Sequence, residues 1–150
     1  MTDDALWSGL ALVGALNARV LGGALPLRVG GVSIDTRSLA PGDLFVAIQG
    51  ESRDGHDFVR TAFERGAAAA VIDEAHAAEL SGAGLLYIVK DTQQALESLG
   101  AQGRARAAAY VAAITGSVGK TSTKEMAREV FSHFGLTHAC LLYTSDAADE

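Results

Sequence analysis

The apolar residues of this chain form short runs that alternate with stretches of helical spacing. Near the start, apolar residues at intervals of three or four follow Asp3 and Asp4 and predict a helix that Gly22 and Gly23 end. Strand-length runs and helical stretches then follow one another, which predicts a mostly parallel sheet in an α/β fold. The predicted strands lie at 26–34, 44–48, 68–72 and 85–89, and the later helices at 59–65, 74–80 and 92–109.

The segment 110–134 has the pattern of a strand, a glycine-rich loop and a helix. An uninterrupted apolar run at 110–114 predicts a strand covered on both faces, and apolar residues spaced by four predict a helix after the loop. Between them, Gly116 and Gly119 allow successive backbone N–H groups to point at one anion, next to the positive end of the helix. The pattern therefore predicts a phosphate-binding loop.

Two residues of this loop would carry its chemistry. Lys120 would reach the outer phosphates of a nucleoside triphosphate, and the Thr121 hydroxyl would ligate the magnesium ion. The loop has the short form G-x-x-G-K-T, because Ile114 stands where the longer pattern has its first glycine. A helix cap that matches the short pattern by chance is the alternative interpretation.

Charge and composition narrow the function classes. With 12 basic and 18 acidic residues, the 150-residue chain has a formal net charge of −6, which argues against a broad nucleic-acid-binding surface. No apolar stretch approaches the ~20 residues that cross a bilayer. Cys140 is the single cysteine and the N-terminus is acidic, so we expect a cytoplasmic protein. His76, His133 and His138 lack the spacing of metal ligands.

Two blocks of the sequence resemble the Mur ligase family. The residues from Gly116 to Met126 resemble the family signature T-G-x-x-G-K-T-x-T-K-E-M. The residues 32–58 contain the family patterns S-x-D-[ST]-R, P-G-D-L-F-[VF]-A and D-G-H-[DE]-F in the same order and spacing. The resemblance runs from about residue 28 to about residue 138.

The resemblance implies a division of the chain. Residues 1–90 would form a small α/β domain that binds a UDP-sugar, and residues 91–139 would begin a Rossmann-like ATP-binding domain. The implied reaction is ATP-dependent amide formation through an acyl phosphate. Lys124 and Glu125 favour the family members whose substrates are a UDP-N-acetylmuramoyl tripeptide and D-alanyl-D-alanine. For such a protein we expect a monomer that is not inserted in a membrane, with ATP and Mg²⁺ as cofactors and Lys120 as the catalytic residue.

The resemblance also assigns ligand contacts. The uridine nucleotide would contact Ser33, Asp35, Thr36 and Arg37, and the guanidinium of Arg37 offers paired donors to a diphosphate. His56 is equally open to a substrate contact and to an exposed position after a turn. The magnesium ligand would be Thr121. The residues expected to hold ATP are Gly116, Ser117, Val118, Gly119, Lys120, Thr121 and Ser122.

Other interpretations remain open for the same residues. The family members that add the third residue of the stem peptide have a similar first domain. A P-loop kinase or GTPase would share the loop alone, and a non-catalytic uridine-nucleotide-binding module would share the first block. Residues 140–150 depart from the family pattern, so we expect a foreign or frame-shifted tail there. Because the family's amine-binding domain has no counterpart in the sequence, we expect no turnover by this chain alone.

Overall fold

The computed structural model describes residues 6–140. They form two compact units, which divide between Ala107 and Ala108. Within the described residues, the first unit holds a five-stranded sheet and three α-helices, and the second holds one α-helix after the glycine-rich loop. No helix in this part of the chain is long and apolar enough to cross a bilayer.

A mostly parallel sheet forms the centre of the first unit. Its strands are β1 (Arg19–Leu21), β2 (Val32–Ser33), β3 (Leu44–Val46), β4 (Ala69–Asp73) and β5 (Leu86–Val89). They lie in the order β1-β5-β4-β3-β2. Strands β2 to β5 pair in parallel, with Phe45 opposite Ala70 and Val71 opposite Tyr87, and β1 pairs antiparallel with β5. The predicted α/β fold is confirmed.

Helices cover both faces of this sheet. They are α1 (Gly9–Leu16), α2 (Val59–Glu64) and α3 (Thr92–Arg106), and the short 3-10 helix Gly55–Phe58 precedes α2. On one face, Leu12 of α1 and Leu99 of α3 belong to the same core as Tyr87, whereas Val59 of α2 packs with Phe45 on the other face. The strands β3, β4 and β5 are therefore buried on both sides, which explains their uninterrupted apolar runs.

The two ends of the first unit meet at Trp7. The guanidinium carbon of Arg106, at the end of α3, lies 3.6 Å from the centroid of the Trp7 ring. Arg106 Nη2 also donates to the backbone oxygen of Leu6 at 3.2 Å. Because α3 is fixed to this unit, the structural border follows Ala107 instead of the predicted position near Lys90. The assignment of UDP-sugar binding to residues 1–90 and ATP binding to residues 91–139 stays a prediction.

The first helix is shorter than predicted. It ends at Leu16, where Asn17 adopts the left-handed conformation (φ +48°), and it does not continue to Gly22. The following residues form β1, in which Val20 lies opposite Tyr87. Pairing with β5 therefore overrides the helical spacing of Val20. The two acidic residues predicted at the start of the helix lie outside the described residues.

Three other local predictions are corrected by the structure. Residues 74–80 form successive turns instead of a helix, although the Asp73 carboxylate accepts the His76 N–H as a helix N-cap would. Of the predicted strand at 26–34, Val32 and Ser33 pair in β2. Residues 110–114 form no strand, since no described residue of the second unit pairs with them. The helix after the loop is present as α4 (Lys120–Ser132).

Candidate functional site

The last residue of β2 and the tight turn after it carry the four predicted nucleotide contacts. The Asp35 carboxylate accepts the backbone N–H of Arg37 at 2.8 Å and its guanidinium through Nε at 3.0 Å and Nη2 at 2.6 Å. The Ser33 hydroxyl donates to the backbone oxygen of Asp35, and Arg65 Nη1 donates to that of Thr36 at 2.8 Å. These bonds explain why the turn contains short polar side chains beside two arginines.

Within this turn, Arg37 has the donors that remain for a ligand. Its side chain is 85% exposed, and Nη1 makes no hydrogen bond to any described residue. Hydrogen bonds from Arg37 lower the pKa of Asp35 to about 2, so this carboxylate is ionised at neutral pH. Asp35 therefore orients Arg37, and its direct contact with a nucleotide stays a prediction.

Four side chains meet where the loop after β3 reaches the end of β4. We call Asp54, His56, Asp73 and His76 the histidine cluster. His56 Nδ1 lies 2.6 Å from Asp54 Oδ1, and His76 Nδ1 lies 2.7 Å from Asp73 Oδ1. The two imidazoles stack with centroids 3.9 Å apart and planes 11° apart. Each ring also has its Nε2 within 3.8 Å of the other ring's aspartate.

The hydrogen bonds of His56 fix its tautomer. Its Nε2 accepts the backbone N–H of Asp73 at 3.2 Å, so the ring proton is on Nδ1 and is donated to Asp54. His56 is 3% exposed, and both of its nitrogens have partners. The alternative in which His56 is merely exposed is therefore wrong, although Asp54 does cap the 3-10 helix as that alternative predicted.

The carboxylates and His76 of the cluster stabilise one another's charge. Partial burial acts to raise the pKa of Asp54 and Asp73, but hydrogen bonds from His56 and His76 respectively outweigh it and hold both pKa values below the usual range. The hydrogen bond to Asp73 raises the pKa of His76, with further support from the charge of Asp54. These contacts favour the protonated form of His76, whose ring stacks on that of His56.

The stability of the first unit should therefore depend on pH in two directions. The stabilisation by Asp54 and Asp73 is present above their ordinary pKa of 3.8 and is lost as pH falls through their lowered values. The stabilisation by His76 is present below its ordinary pKa of 6.5 and is lost as pH rises through its raised value. The contribution of the histidine cluster to the free energy of unfolding, measured by urea unfolding, should be highest between these two pH limits.

An Asp73→Asn variant provides the control for this pH dependence. It removes the carboxylate that raises the pKa of His76 and should flatten the loss of stability on the alkaline side. An unchanged alkaline slope in this variant would contradict the assignment to His76.

The cluster does not have the geometry of a metal site. Ligand atoms of Asp54, His56 and His76 lie within 4.8 Å of one another. However, an imidazole binds a metal through a lone pair in the plane of its ring, at about 2.0 Å. An ion between two parallel rings 3.9 Å apart would lie far outside both planes. The four residues fit a closed hydrogen-bonded arrangement better.

A polar cleft lies beside the cluster, at the carboxyl ends of three parallel strands. Its cavity volume is about 310 Å³. Ligands of open α/β sheets bind at this edge, because the loops that follow parallel strands all start there. Sequence reasoning did not select Asp73, His76 or the start of α3, since none of them belongs to a recognisable pattern. The cleft is lined by Ile48, Gln49, His56, Asp73, Lys90, Asp91, Thr92 and Gln93.

In the second unit, the glycine-rich loop leads directly into α4. Gly116 (φ +151°) and Gly119 (φ +79°) have left-handed backbone angles, which favour glycine at both positions. The helix begins at Lys120, and no side chain caps its first N–H groups. Lys120 Nζ donates to the backbone oxygen of Gly116 at 2.6 Å, so its positive charge lies over the loop. Backbone donors, the helix N-terminus and an ammonium group suit an anionic ligand.

The chain is similar to several curated ligases. It is 42% identical over 115 residues to the UDP-N-acetylmuramoyl-tripeptide–D-alanyl-D-alanine ligase of Synechocystis, covering 75% of this chain and 24% of the relative. It is 33% identical over 126 residues to the UDP-N-acetylmuramoyl-L-alanyl-D-glutamate–2,6-diaminopimelate ligase of Rhizobium meliloti, covering 84% of this chain and 26% of the relative. The chain thus spans about a quarter of the length of these relatives.

The chain is also similar to solved structures of ligases. MurF from Acinetobacter baumannii has a TM-score of 0.70 and 32% identity, covering 85% of this chain and 28% of that protein. MurF ligase from Thermotoga maritima, solved in complex with ADP, has a TM-score of 0.51 and 27% identity, covering 68% of this chain and 23% of that protein.

The fold is that of an α/β protein with a mostly parallel sheet, and its glycine-rich loop suits an anionic ligand. The model of the Mur ligase family, catalytic domain, matches residues 28–104, which is more than half of the chain. The chain belongs to the Mur ligase family, and the family resemblance of its sequence is confirmed.

Proposed function

We propose that this chain belongs to an ATP-dependent ligase that joins D-alanyl-D-alanine to a UDP-N-acetylmuramoyl tripeptide during synthesis of peptidoglycan precursors. The observation that carries the proposal is the 42% identity to the Synechocystis ligase with that name, over three quarters of this chain. The first unit would bind the UDP-sugar through the turn that holds Arg37. The loop 116–122 would bind the phosphates of ATP, and the ADP complex of the Thermotoga relative supports a nucleotide ligand in the family.

The proposed reaction has two steps. An oxygen of the substrate carboxylate attacks the γ-phosphorus of ATP, and ADP leaves with the electrons of the broken bond. The amine of D-alanyl-D-alanine then attacks the acyl phosphate, loses a proton and releases inorganic phosphate. The Lys120 ammonium over the loop would offset negative charge on the transferred phosphoryl group.

A magnesium ion would also fit the second unit. The Thr121 side chain follows Lys120 on the first turn of α4 and is exposed, so its hydroxyl is accessible to an ion beside the phosphates. When bound, Mg²⁺ would polarise and neutralise the phosphate oxygens. Thr121 would hold the ion at the start of α4.

A second candidate is the ligase that adds the diamino acid as third residue of the stem peptide. The observation in its favour is the 33% identity to the Rhizobium diaminopimelate ligase over 84% of this chain. Calorimetric titration of the chain with the UDP-N-acetylmuramoyl tripeptide and with the dipeptide separates the two proposals. Preference for the tripeptide supports the first, and preference for the dipeptide supports the second.

Arg37→Ala tests the UDP-sugar site. We expect the affinity for the UDP-N-acetylmuramoyl tripeptide to fall at least about tenfold, because charge-assisted hydrogen bonds to the diphosphate are lost. Isothermal titration calorimetry measures the change. Arg60→Ala is the matched control, since Arg60 lies on α2 and donates to the backbone oxygen of Glu79. Saturable binding that Arg37→Ala leaves unchanged would place the nucleotide elsewhere, and no saturable binding at all would contradict a UDP-sugar ligand.

The proposed location is the cytoplasm, in agreement with a reaction that consumes ATP. Fractionation of cells that express the chain, with detection by antibody, tests this assignment. Recovery outside the cytoplasmic fraction would contradict it.

A further inference from the structure

The loop after β3 is closed by its own backbone and joined to β4 by the histidine cluster. Gly50 N–H donates to the backbone oxygen of Arg53 at 2.9 Å, and Gly55 N–H donates to that of Ile48 at 2.9 Å. Asp54 ends the loop and pairs with Gln49 across it. Residues 49–55 are therefore tied by hydrogen bonds to Asp54, which is bonded to His56 of the cluster.

The cluster connects this loop to β4 through His56. The ring of His56 bonds to Asp54 on the loop side and to the backbone N–H of Asp73 on the strand side. His76 covers the outer face of His56 and is bonded to Asp73. Removing His76 would leave His56 without the stacked ring that covers it.

The pKa of His76 is raised by its hydrogen bond to Asp73, so its ring keeps a proton to higher pH than an ordinary imidazole. It faces the carboxylates of Asp73 at the end of β4, Asp54 from the loop and Glu79 from its own turn. The His56 ring that it stacks on is neutral in this hydrogen-bond arrangement. From the start of α3, Lys90 and Asp91 line the cleft that His56 and Asp73 also line.

The loop 49–55 and the turn that holds Arg37 follow adjacent strands. Strand β2 is followed by the turn that holds Arg37, and its neighbour β3 is followed by residues 49–55. Because parallel strands place their carboxyl ends on one edge, both segments border the same face of the unit. A ligand on Arg37 would therefore meet a surface whose shape depends on the loop.

We propose that the histidine cluster is a proton-dependent clamp that positions residues 49–55 for UDP-sugar binding, with His76 acting through His56 as a positioning residue. This inference rests on the proposed function of the first unit. Protonated His76 carries the charge that pairs with Asp73 and Asp54, and as pH rises through the raised pKa of His76 that charge is lost. Loop order and sugar-nucleotide affinity should both decrease in that direction.

The experiment uses the full chain and two readouts. Amide hydrogen exchange without ligand gives the protection factors of Gly50 and Gly55, corrected for the intrinsic effect of pH. Calorimetry gives the affinity for the UDP-N-acetylmuramoyl tripeptide at the same pH values. In the unmodified chain, both should fall as His76 loses its proton, which the NMR signals of its ring report.

His76→Asn is the test variant and His133→Asn the matched control. Asparagine keeps a donor for Asp73 but has neither a titrating charge nor an aromatic ring. At about pH 6 we expect roughly tenfold lower loop protection in His76→Asn, from the loss of a charged hydrogen bond. In this variant, loop protection and UDP-sugar affinity should no longer change over the pH range in which His76 titrates in the unmodified chain. His133 lies directly after α4, in the second unit, so His133→Asn should behave like the unmodified chain.

Each outcome has a defined meaning. Loop protection that is independent of pH, or unchanged in His76→Asn, overturns the clamp. If loop protection follows the protonation of His76 but UDP-sugar affinity does not, the positioning role is overturned. If protection follows His76 but the chain binds no UDP-sugar at any pH, the proposed function fails and the positioning role fails with it, whereas the link between His76 and the loop stands.

Discussion

Replacing Lys120 by alanine is expected to lower the affinity of the chain for ATP by at least about tenfold, because a charged donor to the phosphates is removed from a solvent-exposed loop. Lys120 is the first residue of α4, and its ammonium already lies over the loop, 2.6 Å from the backbone oxygen of Gly116. Fluorescence titration with a labelled ATP analogue measures the change. Binding of the UDP-sugar should be unaffected, since Arg37 belongs to the first unit.

Lys124→Ala is the matched control for this prediction. Lys124 lies one turn further along α4, where it pairs with Glu125 at 3.0 Å and donates to the backbone oxygen of Cys140 at 2.8 Å. Its removal changes the net charge by the same amount but leaves the loop without alteration. Equal losses of ATP affinity in both variants would show that general charge, and not the position of Lys120, determines binding.

The second large effect is expected for Gly55→Ala. A Cβ at this position would lie 2.6 Å from the backbone nitrogen and 2.7 Å from the backbone oxygen of Ile48. Backbone atoms at the end of β3 cannot rotate away as a side chain can, so we expect a loss at the upper end of the roughly 1–3 kcal/mol typical of overpacking. The loop should also shift, and the hydrogen bond between Gly55 and Ile48 should be lost.

Gly100→Ala provides the comparison. Gly100 lies within α3, and apart from the backbone of its own helix and its chain neighbours no atom lies within 4 Å of a Cβ built there. Alanine should stabilise the helix by about 0.5–1 kcal/mol. Urea unfolding of both variants measures the difference in the free energy of unfolding. A Gly55→Ala variant as stable as Gly100→Ala would contradict the close approach of the loop to β3.

The sequence predicted the parts of the fold that depend on local pattern. The runs that became β3, β4 and β5 are buried on both faces, and few other structures suit such short apolar segments. The early apolar stripe was misleading at Val20, where pairing with Tyr87 of β5 decides the conformation. The region after β4 also differs from its prediction, since residues 74–80 form turns although Asp73 accepts the His76 N–H as a helix N-cap would.

The candidate sites also differ in how far the sequence alone predicts them. The glycine loop and the turn around Arg37 are continuous in sequence, so their residue patterns could be recognised. His56 and His76 are distant in sequence and are brought together because β4 pairs in parallel beside β3. No spacing rule connects two residues whose contact depends on strand register. The histidine cluster therefore could not be predicted from the sequence.

The contact between Trp7 and Arg106 has a spectroscopic consequence. Trp7 is the single tryptophan of the chain, it is 5% exposed, and its ring lies against the guanidinium at the far end of α3. Intrinsic emission excited at the indole band therefore reports the loosening of the first unit without a signal of the same kind from residues after Ala107. A red shift should accompany detachment of the last helical turn, which makes this natural chromophore a label for the first unit alone.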